Sequence, residues 1–323
     1  MYGTSDPTAA ERTAFRRAEK QYKLYKTLNV KGRSRSRSRS GCRPSSGEGG
    51  GADLSAVVDF HALLAADGEL PDGIGRRECP GFDRPVFCFL DRPGFYFIPG
   101  ALSTEEQCCW IRESLKTFPQ PPNRTNLTAI YGSISDLLIA AENQQILVEA
   151  ENPDIQERNK QNNCGGKTES KYFKFVDSES QKGEEHRSNA ATTLVRKLRW
   201  STLGLQFDWS KIDVGDMLGG HVDDMEADWT KPIVSISLGC KCIFLLGGKT
   251  RDEVPTAMFL RSGDIVLMAG EARERFHGVP RIFTESDQQE IPALISQLSS
   301  GDDVFILEYI KNSRININIR QVY

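Results

Sequence analysis

From Leu198 onward the hydrophobic pattern runs with a period of two, and no other property of this sequence narrows its fold as much. Leu203, Leu205, Phe207 and Trp209 alternate with Thr202, Gly204, Gln206 and Asp208. Alternation of this kind puts apolar side chains on one face of a strand and polar ones on the other. Further short strands are expected over Ile233 to Leu238, Cys242 to Leu246, Thr256 to Leu260, Asp264 to Met268 and Val304 to Tyr309. Turns such as Gly247-Gly248 and Ser262-Gly263-Asp264 divide them, and one helix, about Pro292 to Leu298, interrupts the series. Many short strands at regular intervals predict a β-sandwich or jelly roll.

Ahead of that half, ordered structure is expected from about Val86. Pro93 to Gly100 reads as a short aromatic strand between turn residues. Ser103-Thr104-Glu105-Glu106 is a capping-box pattern, and Cys108, Ile111, Leu115 and Phe118 recur at helical spacing until Pro119, Pro121 and Pro122 stop them. A second helix is expected to open at Ser135 and to carry Leu137, Leu138 and Ile146. The polar stretch 151–190 reads as a long surface insertion.

Composition separates an arm from a body. Residues 1–50 hold twelve Lys/Arg against four Asp/Glu, a balance of +8, so a net charge of −3 over the whole chain leaves −11 on the remainder. Thr13 to Leu28 is charged and helix-compatible, Arg33 to Ser40 is an arginine–serine repeat, and a Gly/Ser-rich stretch follows, so 1–52 reads as a basic, disordered arm. Gripping an RNA backbone, serving as a nuclear address, being switched by serine phosphorylation and being a plain solvated linker all fit such a repeat. Residues 53–85 read as a poorly defined linker and 86–323 as the catalytic-sized domain. No run of 18 apolar residues occurs, so no membrane partner is expected. Eight cysteines without a CxxC pair point to a reduced, intracellular protein. The expected location is nucleus and/or cytoplasm, with the mitochondrion left open.

Only four histidines occur, and two of them belong to His221-Val222-Asp223 and His277. Residues two apart on a strand point the same way, so His221 and Asp223 can reach one ion, with His277 brought beside them from a distant strand. Two imidazoles and a carboxylate hold non-haem Fe(II) on one side and leave the other side open. A chance surface triplet is the plainer reading of the same residues. Arg314 to Arg320 alternates strictly, with Ile315, Ile317 and Ile319 on one face and Arg314, Asn316, Asn318 and Arg320 on the other. That polar face suits a dicarboxylate met by guanidinium forks, and it equally suits an edge strand with one wet face.

Taken together, the chain resembles the AlkB family of Fe(II)/2-oxoglutarate dioxygenases, in a plant-like form of its AlkB-homologue-one group. The likeness runs from about Val86 to Tyr323. It is carried by Leu198-Arg199-Trp200, Leu218 to Asp223, Phe244 to Gly248, Ser262-Gly263-Asp264, Phe276 to Arg281 and the segment from Arg314. The resemblance implies a mainly β double-stranded β-helix with flanking helices, and His221, Asp223 and His277 as Fe(II) ligands. It implies that Arg314 and Arg320 bind 2-oxoglutarate, with Asn316 in support. O2 is then the second co-substrate, and the reaction is oxidative demethylation of a base in RNA, tRNA included, or in DNA, releasing formaldehyde and succinate. The base is expected to be unpaired or flipped out. Asn123 to Gly132 resembles part of the substrate lid, with Tyr131 either a stacking residue or an ordinary half-buried aromatic.

The sequence departs from the family at one place. Family members carry several tens of residues between the Trp209 strand and the iron motif, ending in a strand with an Asn-Tyr-aromatic motif that helps hold 2-oxoglutarate. Here Lys211 runs almost directly into Asp216, and no Asn-Tyr pair occurs in 198–221. A jelly roll lacking an internal strand is therefore expected, with impaired turnover. A catalytically impaired RNA-associated protein and a protein-directed dioxygenase are the alternatives.

Overall fold

The computed structural model describes residues 12–23, 53–66, 68–78, 83–150, 172–178, 188–203, 220–222, 228–287, 291–299 and 303–321. Helices α1 (Ala14–Tyr22) and α2 (Phe60–Ala65) come first, followed by strands β1 (Ile74–Arg77), β2 (Val86–Phe89) and β3 (Phe95–Ile98) and helix α3 (Thr104–Lys116). Short elements follow: β4 (Arg124–Thr125), α4 (Thr128–Tyr131), α5 (Leu137–Glu142), β5 (Ile146–Ala150), β6 (Tyr172–Val176), β7 (Asn189–Ala190), α6 (Ala191–Lys197) and β8 (Ser201–Thr202). The carboxy-terminal half supplies β9 (Ile233–Gly239), β10 (Cys242–Leu246), β11 (Thr256–Leu260), β12 (Ile265–Met268), β13 (His277–Ile282), α7 (Pro292–Leu298), α8 (Val304–Ile310) and β14 (Arg314–Ile319).

Two antiparallel sheets face each other, one ordered β1-β2-β3-β12-β9-β14 and the other β11-β10-β13. Between them lie Phe87, Phe95, Phe97, Ile233, Phe244, Leu246, Met258 and Val266. On its outer side the larger sheet presents Ile236, Leu238, Ile315 and Ile317 to Ile111, Leu115, Leu294 and Ile306 of α3, α7 and α8. The smaller sheet turns Ile243 and Leu245 outward under Phe15 and Tyr22 of α1. β10 is thus buried on both faces, which is why it reads as an unbroken apolar run and not as an alternation. This is the mainly β jelly roll with flanking helices that the sequence predicts.

α3 shows how local chemistry sets an element. The Ser103 hydroxyl accepts from the Glu106 N–H, and the Glu106 carboxylate accepts from the Ser103 N–H, closing a capping box. A cap of this kind contributes about 1 kcal/mol. Cys108, Ile111 and Leu115 then fall on the buried side.

Four expectations need correction. Val304 to Tyr309 is helix α8, not a strand: Ile306, Leu307 and Ile310 form its buried face, and a short apolar run has no period of its own to choose between the two. Ile146 opens strand β5 and does not extend the second helix, which ends at Glu142. Tyr172–Val176, inside the expected surface insertion, is strand β6 hydrogen-bonded along β5. Order also begins well before Val86. Phe60 is wholly buried with its ring 4.4 Å from Phe97 and 5.2 Å from Phe87, and β1 pairs with β2. In the arm, α1 is likewise docked on the body. The arginine–serine repeat and the alternation from Leu205 to Trp209 lie outside the described residues. No helix among the described residues is long and apolar enough to cross a membrane, and the five described cysteines are all free.

Candidate metal and co-substrate site

His277 opens β13, and His221 lies directly across from it. Each N–H donates to the other residue's carbonyl oxygen at 2.8 Å, forming an isolated antiparallel bridge. Residues opposed in this way project to the same face, and the two imidazole centroids stand 4.8 Å apart. Phe244 stacks on His277 at 5.9 Å, so the ring faces the space between the sheets and is 7% exposed. His277 Nδ1 is 3.2 Å from the Arg275 carbonyl oxygen. A carbonyl oxygen only accepts, so the contact fits a proton on Nδ1, the tautomer in which a histidine meets a metal through Nε2. Two imidazoles so placed fit two of the three positions of a facial ligand set. Asp223 lies outside the described residues, and no third donor gathers with the histidines among the described ones.

β14 sits at the margin of the larger sheet and pairs only with β9 among the described residues. Because Val234, Ile236 and Leu238 turn outward to the helices, the intervening Ser235 and Ser237 point between the sheets. They meet the polar face of β14 there. Arg314 donates from Nη2 to Ser237 Oγ at 2.7 Å and to Asn316 Oδ1 at 2.8 Å. Ser235 Oγ donates to Asn316 Oδ1 at 2.9 Å, and Asn316 Nδ2 donates to Asn318 Oδ1 at 2.8 Å. Burial pushes the Cys242 thiol of β10 up, and the nearby Arg314 guanidinium pulls it back. That proximity sets the guanidinium on the inner side. Arg314 Nε is buried with no hydrogen-bond partner among the described residues, a donor suited to an anion. Arg320 follows immediately after β14 and is half-buried. Beyond the edge of β14 lies a cleft of about 180 Å³ bounded by Leu198, Arg199, Trp200, Leu203 and Phe118.

Arg314 and Asn316 are therefore brought together. Tyr131 is elsewhere: it ends α4, meets Phe173 edge-on at 5.3 Å and packs with Leu127 and Leu137. Sequence reasoning missed Ser235 and Ser237. The signal available was Val234-Ser235-Ile236-Ser237-Leu238, two hydroxyls on one face of an otherwise apolar strand.

Residues 94–320 match the model of the 2OG-Fe(II) oxygenase superfamily. The Arabidopsis thaliana protein named DNA N(6)-methyladenine demethylase ALKBH1A is 49% identical over 360 aligned positions, covering 97% of each chain. The Homo sapiens protein named nucleic acid dioxygenase ALKBH1 is 26% identical, over 84% of this chain and 80% of its own. The Schizosaccharomyces pombe protein named tRNA demethylase abh1 is 27% identical, over 84% of this chain and 90% of its own.

Proposed function

The chain belongs to the AlkB-homologue-one branch of the 2OG-Fe(II) oxygenase superfamily, and on that premise we propose that it removes N-methyl groups from bases of RNA, tRNA included, or DNA by oxidation. The observation that supports this reading most is the His221–His277 pair: two imidazoles on one face, their centroids 4.8 Å apart. The relatives' names, which all refer to nucleic acids, supply the substrate class.

In this reading His221 and His277 hold the metal, with Asp223 as the expected carboxylate. Arg314, supported by Ser237 and Asn316, takes one carboxylate of 2-oxoglutarate, and Arg320 assists. Fe(II), when bound, supplies O2 activation coupled to decarboxylation of 2-oxoglutarate to succinate, and with it oxidation of an N-methyl carbon that leaves as formaldehyde. The protein's own part is orientation. Ser237 and Asn316 hold the Arg314 fork so that its Nε–H remains directed at the co-substrate. Phe244 and the Arg275 carbonyl fix the ring and tautomer of His277. The site lies between two sheets, so a base must leave its stack to reach it, which favours unpaired substrates.

The test is incubation of the purified chain with Fe(II), 2-oxoglutarate and single-stranded DNA or RNA carrying N-methylated adenine. Formaldehyde from methylated but not unmethylated strands is expected, and none from His277→Ala. Formaldehyde arising only from methylated peptides would overturn the nucleic-acid assignment in favour of a protein substrate.

A further inference from the structure

Helix α1 belongs to the arm by composition, yet it is packed against β13 and against the backbone beside both paired imidazoles. Its Phe15 is 1% exposed and its Glu19 8%. Glu19 Oε1 accepts the Gly220 N–H at 2.7 Å, and Oε2 accepts from Arg16 Nη1 at 2.9 Å. Gly220 immediately precedes His221. The Phe15 ring, meanwhile, occupies the space a side chain would need at two glycines. A Cβ on Gly220 would fall 1.9 Å from Phe15 Cε1, and one on Gly247 would fall 2.7 Å from Phe15 Cδ2. Gly247 follows Leu246, the residue paired with His277, and its N–H donates to the Phe276 carbonyl at 2.7 Å. The Phe15 N–H is itself tied to the Arg251 carbonyl at 2.9 Å. One nine-residue helix therefore touches the backbone on both sides of the histidine bridge.

We propose that α1 is a positioning clamp for the metal strand, with Glu19 fixing His221 through the Gly220 amide and Phe15 setting the close approach at Gly220 and Gly247. The proposal rests on reading His221 as a metal ligand. Its physical basis is adjacency: Gly220, whose N–H Glu19 holds, immediately precedes His221, whose backbone bridges His277. A buried carboxylate accepting a backbone N–H makes a strong, charge-assisted bond, and removing it strands a buried donor. Loss of an outer partner of this kind typically weakens metal binding about 10–100-fold. Gly220 and Gly247 are then spacing features for an aromatic ring from a helix more than 200 positions away in the sequence.

Hydrogen exchange on the metal-free chain, paired with Co(II) titration followed by visible absorption, tests the clamp. Glu19→Ala is expected to lose amide protection around Gly220 to Val222 and to bind Co(II) about tenfold more weakly. Glu19→Gln retains an acceptor oxygen and is expected to match the wild type in both. Equal exchange in Glu19→Ala and wild type would overturn the proposal, as would Glu19→Gln behaving like Glu19→Ala. Should Glu19→Ala not fold, Gly220→Ala decides instead: protection and Co(II) affinity fall, and Phe15→Ala in the same chain restores both. Failure of that rescue counts against the clamp. A wild-type chain that binds no Co(II) would sink the metal reading, and the exchange comparison would still judge the contact.

Discussion

A single backbone oxygen, that of Arg275, sets which nitrogen of His277 can meet a metal. Because the pairing with His221 runs through backbone atoms, a side-chain change at 277 separates metal binding from folding. His277→Gln is expected to keep the far-ultraviolet spectrum and melting behaviour of the parent and to lose Co(II) binding by more than the roughly 10–100-fold that loss of an outer partner costs. A matching loss of stability would show that the ring, not the bridge, holds the strand. Arg314 permits a comparable separation for the co-substrate. Ser237 and Asn316 both engage Nη2, orienting a planar fork that a lysine ammonium does not reproduce. Arg314→Lys is expected to lose about 1.5–3 kcal/mol of 2-oxoglutarate binding, roughly 10- to 150-fold in Kd, with Co(II) affinity unchanged. Isothermal titration with each ligand checks both halves.

At the scale of elements, α8 is joined to α3 by Asp303. Its Oδ2 accepts from Arg112 Nε at 2.9 Å and Nη2 at 2.7 Å, and Lys116 Nζ stands 3.6 Å from Oδ1. Burial alone would raise the Asp303 pKa, but the Arg112 hydrogen bonds and charge outweigh it and the net shift is downward from 3.8. A carboxyl whose native pKa is depressed stabilises the fold fully above its unfolded pKa and loses that contribution as pH falls through the native value. Asp303→Asn is therefore expected to cost about 1–3 kcal/mol at pH 7. The penalty should shrink once the pH drops below 3.8, as read from urea unfolding at both pH values. A penalty independent of pH would assign the effect to packing. The same helix marks where sequence reasoning stops. α3 was legible because a capping box and a 3.6-residue spacing are local signals, and β14 because Ile and polar residues alternate strictly. α8 was not, since Val304 to Ile310 is almost wholly apolar and its identity is fixed by what packs on it. The meeting of Arg314 with Asn316 could be read for the same reason as β14: residues two apart on a strand share a face. Glu19, Phe15, Ser235 and Ser237 escaped because their roles depend on partners tens to hundreds of residues away.

For the molecule as a whole, the decisive quantity is the closure of the larger sheet. β14 carries Arg314, the arginine proposed for the co-substrate, yet β9 is its only strand partner among the described residues, and a cleft bounded by Leu198, Arg199, Trp200 and Leu203 lies beside it. The alignment to the Arabidopsis relative runs over 360 positions against 323 residues here, so it includes positions at which this chain has no residue. A gap between Lys211 and Asp216 would remove a strand just ahead of His221, and with it the Asn and Tyr that the family resemblance assigns to 2-oxoglutarate. Two hydrogen bonds lost there, at about 1 kcal/mol each, would weaken 2-oxoglutarate binding about tenfold or more. A sheet edge left open in that way would in addition invite pairing between chains. Grafting the Arabidopsis relative's extra segment between Lys211 and Asp216 is expected to tighten 2-oxoglutarate binding by at least about tenfold, to raise succinate formation, and to reduce association seen by light scattering. A graft that binds 2-oxoglutarate no more tightly than the parent would mean that Arg314, Asn316 and Arg320 already provide a complete carboxylate site.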